Sequence, residues 1–367
     1  MIWCKKCVYP EIAIDFSFDR NGICSGCRSK EQANKLNEKK SINELKNLAK
    51  KYRNNLGYDC IIPVSGGKDS YFQTYYVKEK LKLNPLLVTY NTHNYIETGL
   101  ENLKNMREVF NVDHIFFTPS LKVVKELNRI GFFAAGDPNW HCHAAITSLP
   151  FIVAVKYKIP LIFWGEHALD INGKNLVSEK IEFTKREREE KDLRGFRVED
   201  FIKKSKFLKK RDVQWLFFPS DEEINNLGVR GIYIGNYVKW NGLSNYKLAK
   251  KFGFKTPKKK FQRTYRQYSN IDDRYENGLH DYLKFIKFGY GRATDHASRD
   301  IRNGLMTRNQ GIKMVKKYDS VIPDDLYYWL KYVNISEKLF WKHCDKIRDP
   351  RVWKKKNKKW IKKNIWD

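Results

Sequence analysis

Short apolar runs alternate with amphipathic stretches through the first two thirds of the chain. Leu36, Leu45, Leu48 and Tyr52 fall near helical spacing among charged residues, which predicts a helix over residues 31–53. After Gly57, an apolar run at 59–64 reads as a buried strand, followed by a helix over 69–81. The same reading gives a strand at 86–90, a helix at 98–110, a strand at 113–117 and a helix at 120–129 stopping before Gly131. A further helix at 143–157 leads into Leu161-Ile162-Phe163-Trp164, and Gly231-Ile232-Tyr233-Ile234 is a fifth strand candidate. Strands alternating with helices imply right-handed βαβ units, a mainly parallel sheet and helices on both faces. Ligands of such sheets sit at the carboxyl ends of strands, where the residues after 64, Asn91 and Gly165-Glu166 fall.

The alternation breaks over about 170–220, where charges crowd together as in Lys185-Arg186-Glu187-Arg188-Glu189-Glu190-Lys191. This reads as a helical or mobile cover inserted into a 31–240 domain. Residues 241–367 read as mostly helical, ending in a basic, tryptophan-bearing tail at 351–367. The tail is expected as a solvated helix, with base stacking or membrane contact as alternatives.

Composition adds less. The 367 residues are 41% hydrophobic and 14% aromatic, which excludes a disordered chain. A formal net charge of +29 is compatible with an anionic partner, but abundant Lys, Asn, Ile, Tyr and Phe also match the bias of an AT-rich genome. Met1 to Cys7 has no apolar stretch behind it, and no run reaches the roughly 18 apolar residues of a membrane span. A cytoplasmic protein with reduced thiols is expected.

Four of the seven cysteines then need another explanation than disulfides. Cys4-x-x-Cys7 and Cys24-x-x-Cys27 stand at the spacing of a four-cysteine zinc site in a 1–30 ribbon segment. Four protein ligands close the coordination, which makes the predicted Zn2+ structural, with a redox role for either pair as the alternative. Cys60 reads as a small core residue.

The junction between the first strand and its helix is Ser65-Gly66-Gly67-Lys68-Asp69-Ser70. Free backbone N–H groups at a helix start, glycines without a Cβ, a lysine and two hydroxyls make an anion site. Asp69 would repel a bare phosphate, so Mg2+ is expected beside it. The common nucleotide loop, G-x-x-x-x-G-K-S/T, is not satisfied, and G-x-G-x-x-G is absent.

The stretch resembles the S-G-G-x-D-S loop of the PP-loop, or N-type, ATP pyrophosphatases, which grips the pyrophosphate of ATP. Further segments narrow the resemblance. The paired cysteines, Trp140-His141-Cys142-His143, Phe163-Trp164-Gly165-Glu166-His167, Ser269-Asn270-Ile271-Asp272 and Lys287-Phe288-Gly289-Tyr290-Gly291-Arg292-Ala293-Thr294-Asp295-His296 look like the N-acetyl sugar amidotransferases. These are the WbpG- and PseA-like proteins of bacterial surface-sugar pathways, including lipopolysaccharide O-antigen and nonulosonic acid synthesis. The resemblance implies a five-stranded parallel PP-loop sheet and an amidine-forming ligase that uses ATP to turn an acetamido group into an acetamidino group. It also implies a nucleotide- or lipid-linked sugar as substrate and glutaminase-type and cyclase-type subunits that supply ammonia. Nucleic acid is not an expected partner, and peripheral membrane contact is left open.

Roles follow for named residues. Ser65, Gly66, Gly67, Lys68, Asp69 and Ser70 would bind ATP with Mg2+, and Asn91 would hold its adenosine end. Lys68, Asp69 and Glu166 are the catalytic candidates, Glu166 as the group that orients ammonia or takes its proton. His141, Cys142 and His143 would line the sugar pocket, with nucleophile plus base as the alternative. Lys287, Arg292, Asp295, His296 and Arg299 are candidate substrate contacts, and an Arg299–Arg302 pair could clamp a phosphate unless it is a solvated helix face. A PP-loop tRNA-thiolating enzyme and a non-catalytic zinc-ribbon nucleic-acid-binding protein are the rival readings.

Overall fold

The computed structural model describes residues 1–13, 16–33, 38–165, 182–183, 193, 195–268 and 277–367. Among these, β1 (Cys60–Pro63), β2 (Pro85–Tyr90), β3 (Asp113–Phe117), β4 (Leu161–Trp164) and β5 (Arg230–Tyr233) form one sheet in the order β3-β2-β1-β4-β5. Every pairing is parallel, with Ile61 opposite Leu86 on one side and Ile162 on the other. The chain winds outward from β1 to β3, returns to place β4 beside β1, and winds outward again to β5. The crevice between the carboxyl ends of β1 and β4 is therefore the topological switch point, where ligands of such sheets bind.

Successive residues of β1 serve opposite layers. Cys60 and Ile62 pack with Leu45 of α2 (Glu38–Lys51), Tyr71 of α3 (Lys68–Tyr75), Met106 of α4 (Glu97–Val109) and Ala249 of α9 (Gly242–Lys251). Ile61 packs with Leu127 of α5 (Leu121–Ala135), Trp140 of α6 (Trp140–Tyr157) and Phe201 of α7 (Val198–Lys204). Burial on both faces explains why β1, β2 and β4 read as continuous apolar runs rather than alternating ones, while edge strand β3 is more exposed. α8 is Asp221–Leu227, begun by a Ser220–Glu223 capping box.

Beyond α9 the described chain is mainly helical: α10 (Asn277–Phe288), α11 (Arg292–Arg302), α12 (Arg308–Tyr318), α13 (Asp325–Val333) and α14 (Glu337–Ile347). Phe132 of α5 stacks on Phe340 of α14 at 5.2 Å and meets Trp329 of α13 edge-on, so the helical region shares a core with the sheet's outer layer. The cysteine segment leads into α1 (Ser25–Ala33) and packs through Tyr9 on Tyr290. No helix among the described residues is long and apolar enough to cross a membrane.

Three local expectations change. α5 runs through Gly131 to Ala135 and ends at Gly136, whose left-handed φ of 59° caps it. Gly131 is there for space, because a Cβ would lie 2.6 Å from the Asp137 carbonyl oxygen. The predicted helix at 69–81 becomes α3 followed by a π turn at Tyr76–Lys80. The tail contains no helix: β6 (Lys354–Lys356) and β7 (Lys359–Ile361) form an antiparallel hairpin. Asn357 and Lys358 both take positive φ, the two-residue turn that suits such a hairpin.

Candidate functional site

The turn after β1 is built by a division of labour between its glycines. Gly66 has φ of 81°, and a Cβ on it would come within 2.9 Å of Leu103 and 3.0 Å of the Gly99 carbonyl. The fold itself therefore demands glycine there. Gly67 has ordinary extended backbone, and a Cβ would meet nothing closer than the Ser65 hydroxyl at 3.4 Å. Its missing side chain leaves a cradle open in front of the helix start. Ser70 closes the turn by accepting the Ser65 N–H at 3.0 Å.

Lys68 is buried and pairs with Asp69 at 2.5 Å. Asp69 also accepts a hydrogen bond from Asn245 of α9 at 2.8 Å. The enclosing protein alone would raise the Asp69 carboxyl, but the Lys68 ammonium and the Asn245 amide hold it below its ordinary value. Lys68 and Arg266 both lie over the Tyr268 ring, at 5.9 and 5.8 Å, and both approach Gly242 at the start of α9. Arg266 is held by Asp300 at 2.5 Å, which Tyr265 also contacts. His296 is buried against Thr264 at 2.6 Å, and burial, then Arg266, Arg292, Arg299 and Lys68, push its imidazole well below its usual value. Three of these cations are themselves paired, Lys68 with Asp69, Arg266 with Asp300 and Arg292 with Asp281.

The other candidates are dispersed. Asn91 ties two loops together, donating to Thr118 at 3.0 Å and accepting from the His93 N–H at 2.9 Å. His141 is fully buried, 2.9 Å from the Tyr90 hydroxyl and 2.8 Å from the Asn128 amide, so it joins β2, α5 and α6 inside the core. Cys142 is partly buried against the same layer, while His143 turns toward Asp137. Arg292 is bound by Asp281 at 2.6 Å, and Asp295 takes Lys284 at 2.7 Å and the Tyr9 hydroxyl at 2.8 Å. Lys287 reaches toward Gly136, between α5 and α6. Arg302 does not pair with Arg299 as a clamp but turns to the cysteines. Glu166 lies outside the described residues, as do His167 and the segment 269–272.

Cys4, Cys7, Cys24 and Cys27 are buried with their sulfurs all within 4.8 Å of one another. Cys4 and Cys27 lie 3.9 Å apart and Cys7 and Cys24 3.6 Å apart, on either side of the roughly 3.8 Å edge of a tetrahedron with 2.3 Å zinc–sulfur bonds. The Cys7 and Cys24 N–H groups point at the Cys4 sulfur at 3.4 and 3.3 Å. The donor set fits a structural metal ion. Arg302 lies 3.7 Å from the Cys24 sulfur and over the Tyr9 and Phe16 rings, and Arg308 donates to the Cys4 and Cys7 carbonyls.

Arg266, Asn245 and Tyr268 were not singled out in the sequence, since only the fold brings them to Lys68 and Asp69. The lone signal was Asn241-Gly242, a helix start that the N-cap of α9 uses.

A 113-residue stretch is 32% identical to an uncharacterised protein, MJ1599, of Methanocaldococcus jannaschii; it spans 30% of this chain and 40% of that relative. The U34-tRNA thiolase NcsA from Methanococcus maripaludis, solved with its 4Fe–4S cluster, is similar over 83% of this chain and 87% of its own, at 16% identity and a TM-score of 0.32. Residues 262–365 match the family described as "LPS biosynthesis protein WbpG-like, C-terminal domain". That span carries Arg266, Tyr268, His296 and Arg302, the residues that face the β1 turn and the cysteine cluster. Residues 262–365 thus carry a WbpG-like C-terminal domain, set against the five-stranded parallel sheet.

Proposed function

We propose that the protein is an ATP-dependent amidotransferase that converts the acetamido group of a surface sugar into an acetamidino group. The observation that carries this reading is the convergence of Lys68, at the PP-loop turn, with Arg266 and His296 from the WbpG-like domain. One surface suits the polyphosphate of ATP, and the facing surface belongs to a family tied to lipopolysaccharide synthesis.

An amide is a poor electrophile, and ammonia does not expel its oxygen. In the proposed reaction the amide oxygen attacks the α-phosphorus and pyrophosphate leaves, giving an O-adenylyl imidate. Ammonia adds to the imidate carbon, loses a proton, and AMP departs with the former amide oxygen. Lys68 and the N–H groups of the 65–70 turn neutralise the leaving pyrophosphate, which is stabilisation of charge where it develops. Asp69, partly exposed, is the carboxylate that would hold Mg2+ together with phosphate oxygens, a donor set that suits this ion. The ion would supply charge neutralisation at the phosphates. Gly67 leaves room for the phosphates to approach backbone. Glu166 is retained as the proposed proton acceptor, and glutaminase-type and cyclase-type subunits as the proposed ammonia source.

The test supplies purified protein with ATP, magnesium, ammonium and a nucleotide-linked acetamido sugar. AMP and pyrophosphate should form in step with loss of about one mass unit from the sugar. Release of ADP, or no turnover of ATP with any acetamido sugar offered, would overturn the assignment. Thiolation of tRNA in a parallel assay supplied with tRNA and a sulfur donor would favour the rival PP-loop chemistry.

A further inference from the structure

Asp137, His143 and His280 meet at a place the proposed chemistry does not use. Asp137 lies in the short link between α5 and α6, His143 in the first turn of α6, and His280 in the first turn of α10. One atom from each lies within 4.8 Å of the other two. We propose that these three side chains bind one divalent transition-metal ion of the zinc class, joining the sheet domain to the WbpG-like domain.

Three observations support the site. First, the three side chains converge, and only the His280–Asp137 contact is a hydrogen bond. His280 Nδ1 lies 3.0 Å from one Asp137 oxygen, but His143 Nε2 lies 3.6 Å from the other. The longer distance exceeds hydrogen-bond reach. Bonds of about 2.0–2.1 Å to a tetrahedral ion put its ligands roughly 3.4 Å apart, a separation that small side-chain shifts reach from donors lying within 4.8 Å of one another. Second, the donors are right and already oriented. Two imidazoles and a carboxylate suit zinc-like ions rather than magnesium or calcium. The Asn139 N–H, 3.0 Å away, fixes the Asp137 carboxylate in the way outer-shell partners orient metal ligands. Third, Asn139 carries a buried side-chain oxygen with no hydrogen-bond partner among the described residues, two positions from the carboxylate. A buried polar atom in that condition is costly unless an ion or its water completes it.

The site also differs from the cysteine cluster in kind. Asp137 is 1% exposed, but His143 and His280 are 29% and 19% exposed, so the site is closed behind and open in front. The three donors among the described residues leave a coordination position for water or a substrate oxygen, the arrangement of reactive rather than purely structural zinc. Its position follows from the winding. α6 runs back toward the start of β4, so its first turn lies at the carboxyl edge of the sheet, on the same side as the 65–70 turn.

The test is metal content of the full chain, equilibrated with zinc and then passed into zinc-free buffer. Wild type should hold about one equivalent more than His280→Gln and than His143→Gln, each checked for native circular dichroism. Equal content in wild type and both folded variants would overturn the proposal. Zinc-edge X-ray absorption of the wild-type protein needs no variant: a mixed shell of sulfur with nitrogen and oxygen supports the site, and an all-sulfur shell overturns it.

Discussion

Tyr9 donates its hydroxyl to Asp295 over 2.8 Å, across 286 positions of sequence. Asp295 is otherwise paired with Lys284, and these ionic partners outweigh the burial that alone would raise its carboxyl. Burial, with Asp295 next, raises the Tyr9 phenol well above its ordinary value, which keeps it a donor. Removing the hydroxyl in Tyr9→Phe should therefore cost about 1.5–3 kcal/mol, the range for hydrogen bonds to charged groups. Urea unfolding measures it, and an unchanged midpoint would show that the segment is not anchored through this bond.

The two glycines of the β1 turn should separate stability from nucleotide binding. Gly66→Ala meets Leu103 and the Gly99 carbonyl and demands positive φ, so it should destabilise by about 1–3 kcal/mol. Gly67→Ala meets no such obstacle and should change the unfolding midpoint by less than about 0.5 kcal/mol. It should still weaken ATP binding at least tenfold by calorimetry, because its Cβ projects into the cradle. Normal ATP binding by folded Gly67→Ala would remove the turn from the nucleotide site.

Arg302 places a guanidinium beside the cysteine sulfurs, and neighbouring Cys7 is the first of the charges that raise its own pKa after burial has lowered it. Arg302→Gln should weaken metal retention by the cluster about 10–100-fold, the usual cost of losing an outer-shell partner. Zinc release to a chelator with a coloured zinc complex reads the change.

Acid should destabilise the fold through two histidines. Burial, then Arg107, lowers His114 to about 4, and His296 is pushed well below its usual value. Below about pH 6.5 the unfolded chain takes up protons at both positions and the native state does not, so stability falls as pH falls. Each contributes a slope of up to about 1.4 kcal/mol per pH unit, which for His114 ends near pH 4. Urea midpoints of His114→Gln against wild type between pH 7 and 4 should show one slope removed.

The centre of the sheet was legible because β1, β2 and β4 are buried on both faces, so their sequences are apolar runs such as Leu86-Leu87-Val88. The β1 turn was legible because its chemistry is contiguous. Convergence on Lys68 was not, because Asn245 and Arg266 are ordinary polar residues until α9 and the WbpG-like domain bring them in. Trp140-His141-Cys142-His143 reads as one unit in sequence, yet helical geometry sends His141 into the core and His143 toward Asp137 and His280. The basic tail misled for a different reason: a run of lysines gives no period, and only the left-handed pair Asn357-Lys358 tells a hairpin from a helix.

The cysteine segment leans on Tyr290, Asp295, Arg302 and Arg308, all of which are synthesised far later. At 5–20 residues per second, roughly 15–60 s of translation separate Tyr9 from Asp295. Through that interval the four thiols emerge without the wall that will enclose them. An ion bound in that interval would be held by the segment's own loops alone, and the later helices would then close over it.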